Sequence, residues 1–330
     1  MFSFKSMQGS QPSAKPAHNP RLNRRPNGGT SFWARLWAQR QLLLMLLPGL
    51  AFYAIFRYGP IYGLRVAFMS YSPFLGYDGS PWVGFGNFER LFVRNIDIFW
   101  LLLSNTLTLS VLQFALTFPA GILFALILNE VRWPKLKKAY QTISYLPTFL
   151  SLVIICAIFI NLFSYKGLVS DIIAFFGGDR QNFLYTKSGY LLVYMVSALW
   201  AGLGNGAVIY LSALAGVDQE MYEAAEIDGC SRLKRIWHIT IPSIMPTIGT
   251  MFLLSIGSLI RVAADKTLLL RNDITITDTY IFATYIYDLG IRKPELSYTA
   301  AIGLFESVVA AILLVTFNYI SRKTSESSLW

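Results

Sequence analysis

The chain has 330 residues, 54% of them hydrophobic and 14% charged; soluble domains carry about 25% charged residues, so this is a membrane composition. Two cysteines, Cys156 and Cys230, and two histidines, His18 and His238, are too few for a disulfide framework or a structural zinc site. The formal charge of +10 invites a nucleic-acid reading, but most of the excess sits in one terminal arm.

That arm, residues 1–40, holds Lys5, Lys15, Arg21, Arg24, Arg25, Arg35 and Arg40 and no acid. Basic residues ahead of a hydrophobic span are retained on the cytoplasmic side, so the arm reads as a topology signal and not as a nucleic-acid binder. Specific lipid binding is the other alternative. The arm is too long, and the first apolar run too late, for an ordinary cleaved signal peptide, which predicts a first span kept as an anchor.

A bilayer core needs roughly 20 apolar residues of helix, and the sequence holds six such runs. The first covers about 41–56, with Arg57 snorkelling to the outer interface and Pro48 and Pro60 marking bends. The others cover about 99–128, 140–163, 190–214, 246–264 and 298–320. The expectation is an all-α, polytopic membrane protein with an arm 1–40, a six-helix body 41–320 and a tail 321–330. An even number of spans places both termini on one side. That side, with connections 129–139 and 215–245, holds 16 of the 28 basic residues. Arg132, Lys135, Lys137 and Lys138 crowd one short loop there, so both termini are expected to be cytoplasmic and the protein to lie in the cytoplasmic (inner) membrane. No internal repeat is visible.

Outside, 71–88 carries Pro73, Gly76, Asp78, Gly79, Pro81 and Gly84, a series of turn formers without helical periodicity. Such a loop caps a pore or meets a soluble partner; alternatively Trp82, Phe85 and Phe88 sit at headgroup level as an aromatic belt.

The connection 216–246 is too polar for the membrane and too patterned for a tether. Val217, Met221, Ala224, Ala225 and Ile227 alternate with Asp218, Glu220, Glu223, Glu226 and Asp228, which predicts a short amphipathic helix with an acidic face. Gly229 after Asp228 is a stop signal. A second short helix is expected from Ser231 through Arg232, Lys234, Arg235 and Trp237, with Pro242 and Pro246 marking the return to the membrane. Two short helices at about a right angle would form a cytoplasmic knob. An acidic face does not suit a helix lying on anionic lipid.

Glu223-Ala224-Ala225, then Gly229, then Ile239-Thr240-Ile241-Pro242 resemble the EAA loop of permease subunits of bacterial ABC importers, with Ile241 where the family has Leu. Gly59-Pro60-Ile61-Tyr62-Gly63, Ser80-Pro81-Trp82-Val83-Gly84-Phe85, Ile143-Ser144-Tyr145-Leu146-Pro147 and Ala301-Ile302-Gly303-Leu304-Phe305 are similar to polysaccharide-type permeases among the maltose-type importers. The resemblance runs from about residue 41 to the end. It implies that the first helix of the loop docks in a cleft of a cytoplasmic ATPase, with Glu220, Met221, Glu223, Ala224, Ala225, Asp228, Gly229 and Pro242 as coupling residues. It implies further partners: a second homologous permease chain, two ATP-binding subunits and an extracytoplasmic solute-binding protein. The cargo would be an oligosaccharide or polysaccharide, acidic like alginate or pectin fragments, or neutral.

No G-x-x-x-x-G-K-[ST] run occurs, so no cofactor is expected in this chain; ATP and Mg would belong to the partner ATPase, and the chain itself is not read as an enzyme. Gly202-Leu203-Gly204-Asn205-Gly206 lies in a span with no strand before it and reads as close helix packing rather than a dinucleotide loop.

A transport path shows as polar groups at membrane depth. Asn105, Thr106, Gln113, Asn161, Asn205, Ser255, Ser258 and Glu306 qualify. Glu306 lies about eight residues, roughly 12 Å, inside its span; it either pairs with Arg261 or, with Arg261, faces the translocation cavity. Tyr194, Trp200 and Tyr210 stack on sugar rings or simply pack. Cys156 reads as an apolar filler and Cys230 as a loop residue. The rival readings are an ion-coupled secondary transporter, disfavoured by one intramembrane acid and no repeat, and an enzyme of membrane lipids or glycans, for which no catalytic cluster exists.

Overall fold

The computed structural model describes residues 39–256 and 264–324. The chain divides into two compact units, Met1–Gly63 and Leu64–Trp330. The described residues are almost wholly helical, with one isolated antiparallel bridge between Met69 and Trp82. Among the described residues, five helices are long and apolar enough to cross a membrane, six if one bent pair counts as a span.

Helix α1, Arg40–Tyr53, passes through a π turn at Ala54–Tyr58 into a 3₁₀ segment, Gly59–Phe68. The span therefore runs well beyond the expected end at residue 56. Pro60 stands at the start of the 3₁₀ segment, where a missing N–H disturbs little, and Arg57 sits within the π turn without ending the helix.

Helix α2, Ile96–Glu130, is apolar nearly all round, as a helix surrounded by protein and lipid must be. The third expected span is not one helix. Helices α3, Pro134–Tyr145, and α4, Leu152–Leu162, meet at 100°. Pro147 lacks a donor for a continuing helix, and the Ser151 hydroxyl accepts from the Ile154 N–H at 3.3 Å to start a new one. The basic cluster expected in a loop lies mostly on α3, whose first residue is Pro134.

After the short helix α5, Leu168–Phe175, comes α6, Lys187–Ala215, capped by Thr186. Helices α2 and α6 form the most extensive helix pair. The pairing is close because a Cβ built at Gly121 would stand 3.4 Å from the Gly206 backbone. Helix α7, Gln219–Ile227, then leads to α8, Arg232–Ile256. The second helix of the knob begins where expected, at Arg232 after Ser231, but is not separate: α8 continues through a π turn at Ile236–Thr240 and past Pro242 and Pro246 into the fifth span. Pro242 stands directly after the π turn, where the hydrogen-bond ladder is already irregular. Helices α9, Ala264–Leu270, and α10, Phe282–Tyr287, precede the last span, α11, Leu296–Thr324.

Three apolar clusters hold the body together. One joins α4, α6 and α9 around Cys156, Phe159, Tyr190 and Tyr194. A second, rich in rings, joins α2, α10 and α11 around Phe99, Phe282, Tyr285 and Tyr298. The third packs Leu126, Tyr210, Leu214, Val217 and Ile244 where α2, α6 and α8 approach α7. The 71–88 connection contains one-turn helices at Gly76–Gly79 and Gly86–Glu89, against the expectation of turns alone. Asn87 secures it, donating to the carbonyls of Ala67 and Met69 at 2.9 and 3.1 Å.

Candidate functional site

Helix α7 is delimited by its own side chains and backbone. The Asp218 carboxylate accepts from the Glu220 N–H at 3.0 Å, and Glu220 adds negative charge to the first turn, where the helix dipole favours it. At the other end the Cys230 N–H donates to the Ala225 carbonyl at 2.9 Å and the Gly229 N–H to that of Glu226 at 3.1 Å. This is a Schellman closure, with Gly229 at φ 71°. A Cβ at Gly229 would meet nothing within 4 Å, so glycine serves the backbone angle and not space.

Glu220, Met221, Glu223, Ala224, Asp228 and Gly229 are exposed, and Ala225 is half-buried. Beside them Ile227, Leu233 and Trp237 are exposed apolar side chains, Ile227 to 87%. The outward surface of the elbow is thus a mixed acidic and apolar knob. Pro242, grouped with these residues on sequence grounds, is exposed but stands on α8.

The inward face of α7 carries Tyr222, which packs against the cluster around Leu214, Val217 and Ile244. Its hydroxyl lies 3.0 Å from the Thr240 Oγ1. One turn later the Glu226 carboxylate accepts from Arg235 at 3.3 Å. The sequence pattern alone puts Glu226 on the acidic face and gives Tyr222 no role. The available signal is their i, i+4 spacing, which puts both on one side of a helix.

Between α2, α6 and α8 lies a cavity of about 340 Å³. It brings together Gln113, Asn205 and Ser255, with Phe114, Phe118 and Tyr210 among its walls. The other described candidates lie elsewhere. Asn105 is buried and donates to the carbonyls of Thr277 and Tyr280 at 3.1 and 3.0 Å, so its amide anchors the segment before α10. Thr106 accepts from the Phe282 N–H, and Asn161 donates to the Ala157 carbonyl in its own helix. Glu306 is half-buried on α11. Arg261 and Ser258 fall outside the described residues. Tyr194 is fully packed: the buried Lys266 ammonium donates to its carbonyl at 2.7 Å and stands 4.1 Å from its ring centre. Trp200 meets the edge of Phe159.

On the connection between the fifth and sixth spans, the Arg271 guanidinium donates through two nitrogens to the two Asp288 oxygens, each at 3.0 Å. Tyr280 O–H donates to the same carboxylate at 2.8 Å. Burial raises the Asp288 pKa, but the hydrogen bonds from Arg271 and Tyr280, with the charges of Arg271 and Arg292, outweigh it and hold the group below its ordinary value. Among the described residues, no group of three or more His, Cys, Asp or Glu is placed to hold a metal ion.

Comparison with known proteins gives consistent matches. Residues 117–326 match the family described as "Binding-protein-dependent transport system inner membrane component". The chain is 40% identical to a polygalacturonan/rhamnogalacturonan transport system permease protein of Bacillus subtilis (strain 168), over 90% of this chain and 92% of that protein. A bacterial ABC transporter involved in the import of the acidic polysaccharide alginate superposes with a TM-score of 0.81 at 34% identity, covering 88% of this chain and 98% of that one. A bacterial alginate ABC transporter in complex with alginate pentasaccharide-bound periplasmic protein gives a TM-score of 0.83 at 33% identity, covering 90% and 99%.

Proposed function

The chain belongs to the family of binding-protein-dependent transport system inner membrane components, and from that membership we propose that it is one of two permease chains in an ATP-driven importer of oligosaccharides. Family membership does not favour an ion-coupled secondary transporter. The observation that carries the reading is the elbow: a short capped helix, turned at Gly229, that shows acids and apolar side chains outward and is held to the spans on its inner face.

The outward knob supports a socket on a separate ATPase. Ala224 lets a partner approach closely, Met221 and Ile227 supply apolar contact, and Glu220 and Glu223 suit a basic or hydrogen-bonding rim. Two such ATPase subunits hold ATP and Mg, a second homologous permease completes the pore, and an extracytoplasmic binding protein delivers substrate. Closure of the ATPase pair pushes the elbows, the two permease halves rock, and the cavity opens inward by alternating access. Both termini of this chain are cytoplasmic.

Gln113, Asn205 and Ser255 supply hydrogen-bonding groups for sugar hydroxyls, and Phe114 and Phe118 a surface for the apolar faces of sugar rings. The names of the relatives include polygalacturonan/rhamnogalacturonan and alginate transport at 40% and 34% identity, and arabinooligosaccharide and lactose transport at 28%, so carboxylate-bearing glycans are the cargo to test first and neutral oligosaccharides second, with Arg261 and Glu306 as further candidates on the path. In sealed vesicles holding this chain, its partner permease and its ATPase, import of alginate and polygalacturonan oligosaccharides is expected to require ATP and the binding protein and to survive collapse of ion gradients. Import that stops with the gradient and ignores ATP would contradict the reading.

A further inference from the structure

The coupling elbow touches the fifth-span helix through two polar contacts, one of which is shielded. Thr240 is 1% exposed, and its hydroxyl donates to the Arg235 carbonyl at 3.4 Å. The Thr240 Oγ1 also lies 3.0 Å from the Tyr222 hydroxyl, a hydrogen bond in which either oxygen can donate. The second contact, Arg235 to Glu226, is weaker: Glu226 is 78% exposed, and exposed pairs contribute about 0–1 kcal/mol.

Both contacts depend on an irregularity. Tyr222 and Glu226 are four apart on α7 and share a face. Their partners, Thr240 and Arg235, are five apart; in a regular α-helix of 3.6 residues per turn they would point about 140° away from each other. The π turn Ile236–Thr240, marked by the Ile241 N–H donating to the Ile236 carbonyl, brings residues five apart onto one side. The extra residue in that turn therefore lets both partners on α8 face α7.

We propose that Tyr222 and Thr240 form a latch that makes α7 and the head of the fifth span move as one body, with the π turn as the device that sets its register. The proposal rests on the importer reading, since a latch matters only if the elbow is pushed. Tyr222 is a positioning residue: it binds neither substrate nor nucleotide, and fixes how far a displacement of the elbow is passed to α8. With the hydroxyl removed and the ring kept in its apolar seat, α7 still docks but tilts against α8, and hydrolysis runs ahead of transport.

The test is import per ATP hydrolysed in vesicles holding the complete transporter, with the loaded binding protein and alginate pentasaccharide as probe. Tyr222→Phe and Thr240→Val are each expected to keep ATP hydrolysis and to lose about five-fold in import per ATP, which is roughly 1 kcal/mol, the worth of one such hydrogen bond. The double variant should be no worse than either single one, and Thr240→Ser, which keeps the hydroxyl, should restore the wild-type ratio. A wild-type ratio in Tyr222→Phe, or losses that multiply in the double variant, overturns the latch and leaves the importer reading standing. Wild-type vesicles that import without ATP overturn the importer reading itself.

Discussion

The backbone at Gly204 presses directly against the Ser144 carbonyl where α6 crosses α3, so closely that a Cβ on Gly204 would overlap that oxygen. Two residues earlier, a Cβ on Gly202 would meet nothing within 4 Å. Small residues two apart on one span thus have opposite duties: one lets helices touch, the other borders open space. Gly204→Ala is expected to lower stability by about 2 kcal/mol through overpacking against backbone that cannot yield. Gly202→Ala, in open space within a helix, should not lower stability and gains up to about 1 kcal/mol; thermal unfolding in detergent distinguishes them.

Gly229 poses a different constraint, since its surroundings are empty and only its φ of 71° is demanding. Gly229→Asn, which tolerates the left-handed region, should retain import. Gly229→Val adds roughly 1–2 kcal/mol or more of backbone strain and should abolish coupled import while the chain still inserts. Import assays beside membrane insertion check both; equal import from the two variants would remove the case for the turn.

Asp288 links the connection between the fifth and sixth spans to pH. Its carboxyl titrates below the ordinary value of 3.8 in the folded protein, so the unfolded chain binds more protons in that range. The pair with Arg271 therefore contributes its full stability above about pH 4, and loses it as pH falls through the lower folded value. Arg271 is 8% and Asp288 13% exposed. Asp288→Asn leaves a nearly buried guanidinium without its counter-charge and should cost about 3 kcal/mol at neutral pH. The variant should also be less sensitive to acid than wild type, which thermal unfolding from pH 7 down to 3 would measure.

Asn205 is exposed into the membrane cavity rather than packed. Replacing it with leucine should shift stability by no more than about 0.5 kcal/mol, as exposed positions do, yet reduce import several-fold by presenting a methyl group to sugar hydroxyls. Unchanged import would remove Asn205 from the path.

Hydrophobicity makes some of this architecture legible in the sequence and leaves the rest hidden. Apolar runs locate the second, fourth and sixth spans within a few residues, because a bilayer core fixes helix length. The family is legible in Glu223-Ala224-Ala225 and Gly229, which the similarity to importer permeases bears out. Less legible are the places where proline misleads. Pro60, Pro242 and Pro246 look like breaks, yet helical backbone passes each, whereas Pro147, with Ser151 capping the next helix, turns the third span by 100°. Proline limits one hydrogen bond, and packing decides whether the chain turns there. The grouping of polar span residues is legible only in part: Gln113 and Asn205 meet in one cavity, while Asn105, two turns before Gln113 on the same helix, is spent on two carbonyls. The contact between Tyr222 and Thr240 depends on a π turn, which leaves no periodic trace.

Met221 is exposed on the outward face of α7, where the proposed ATPase socket would meet the elbow. In the assembled transporter, with Cys230→Ser to leave the elbow otherwise without a thiol, Met221→Cys should be captured by a short bifunctional cross-linker as a single adduct with the ATPase subunit, with a yield that changes on adding ATP. Failure to capture that subunit, together with labelling of the introduced thiol by a membrane-impermeant reagent applied from outside intact cells, would contradict it.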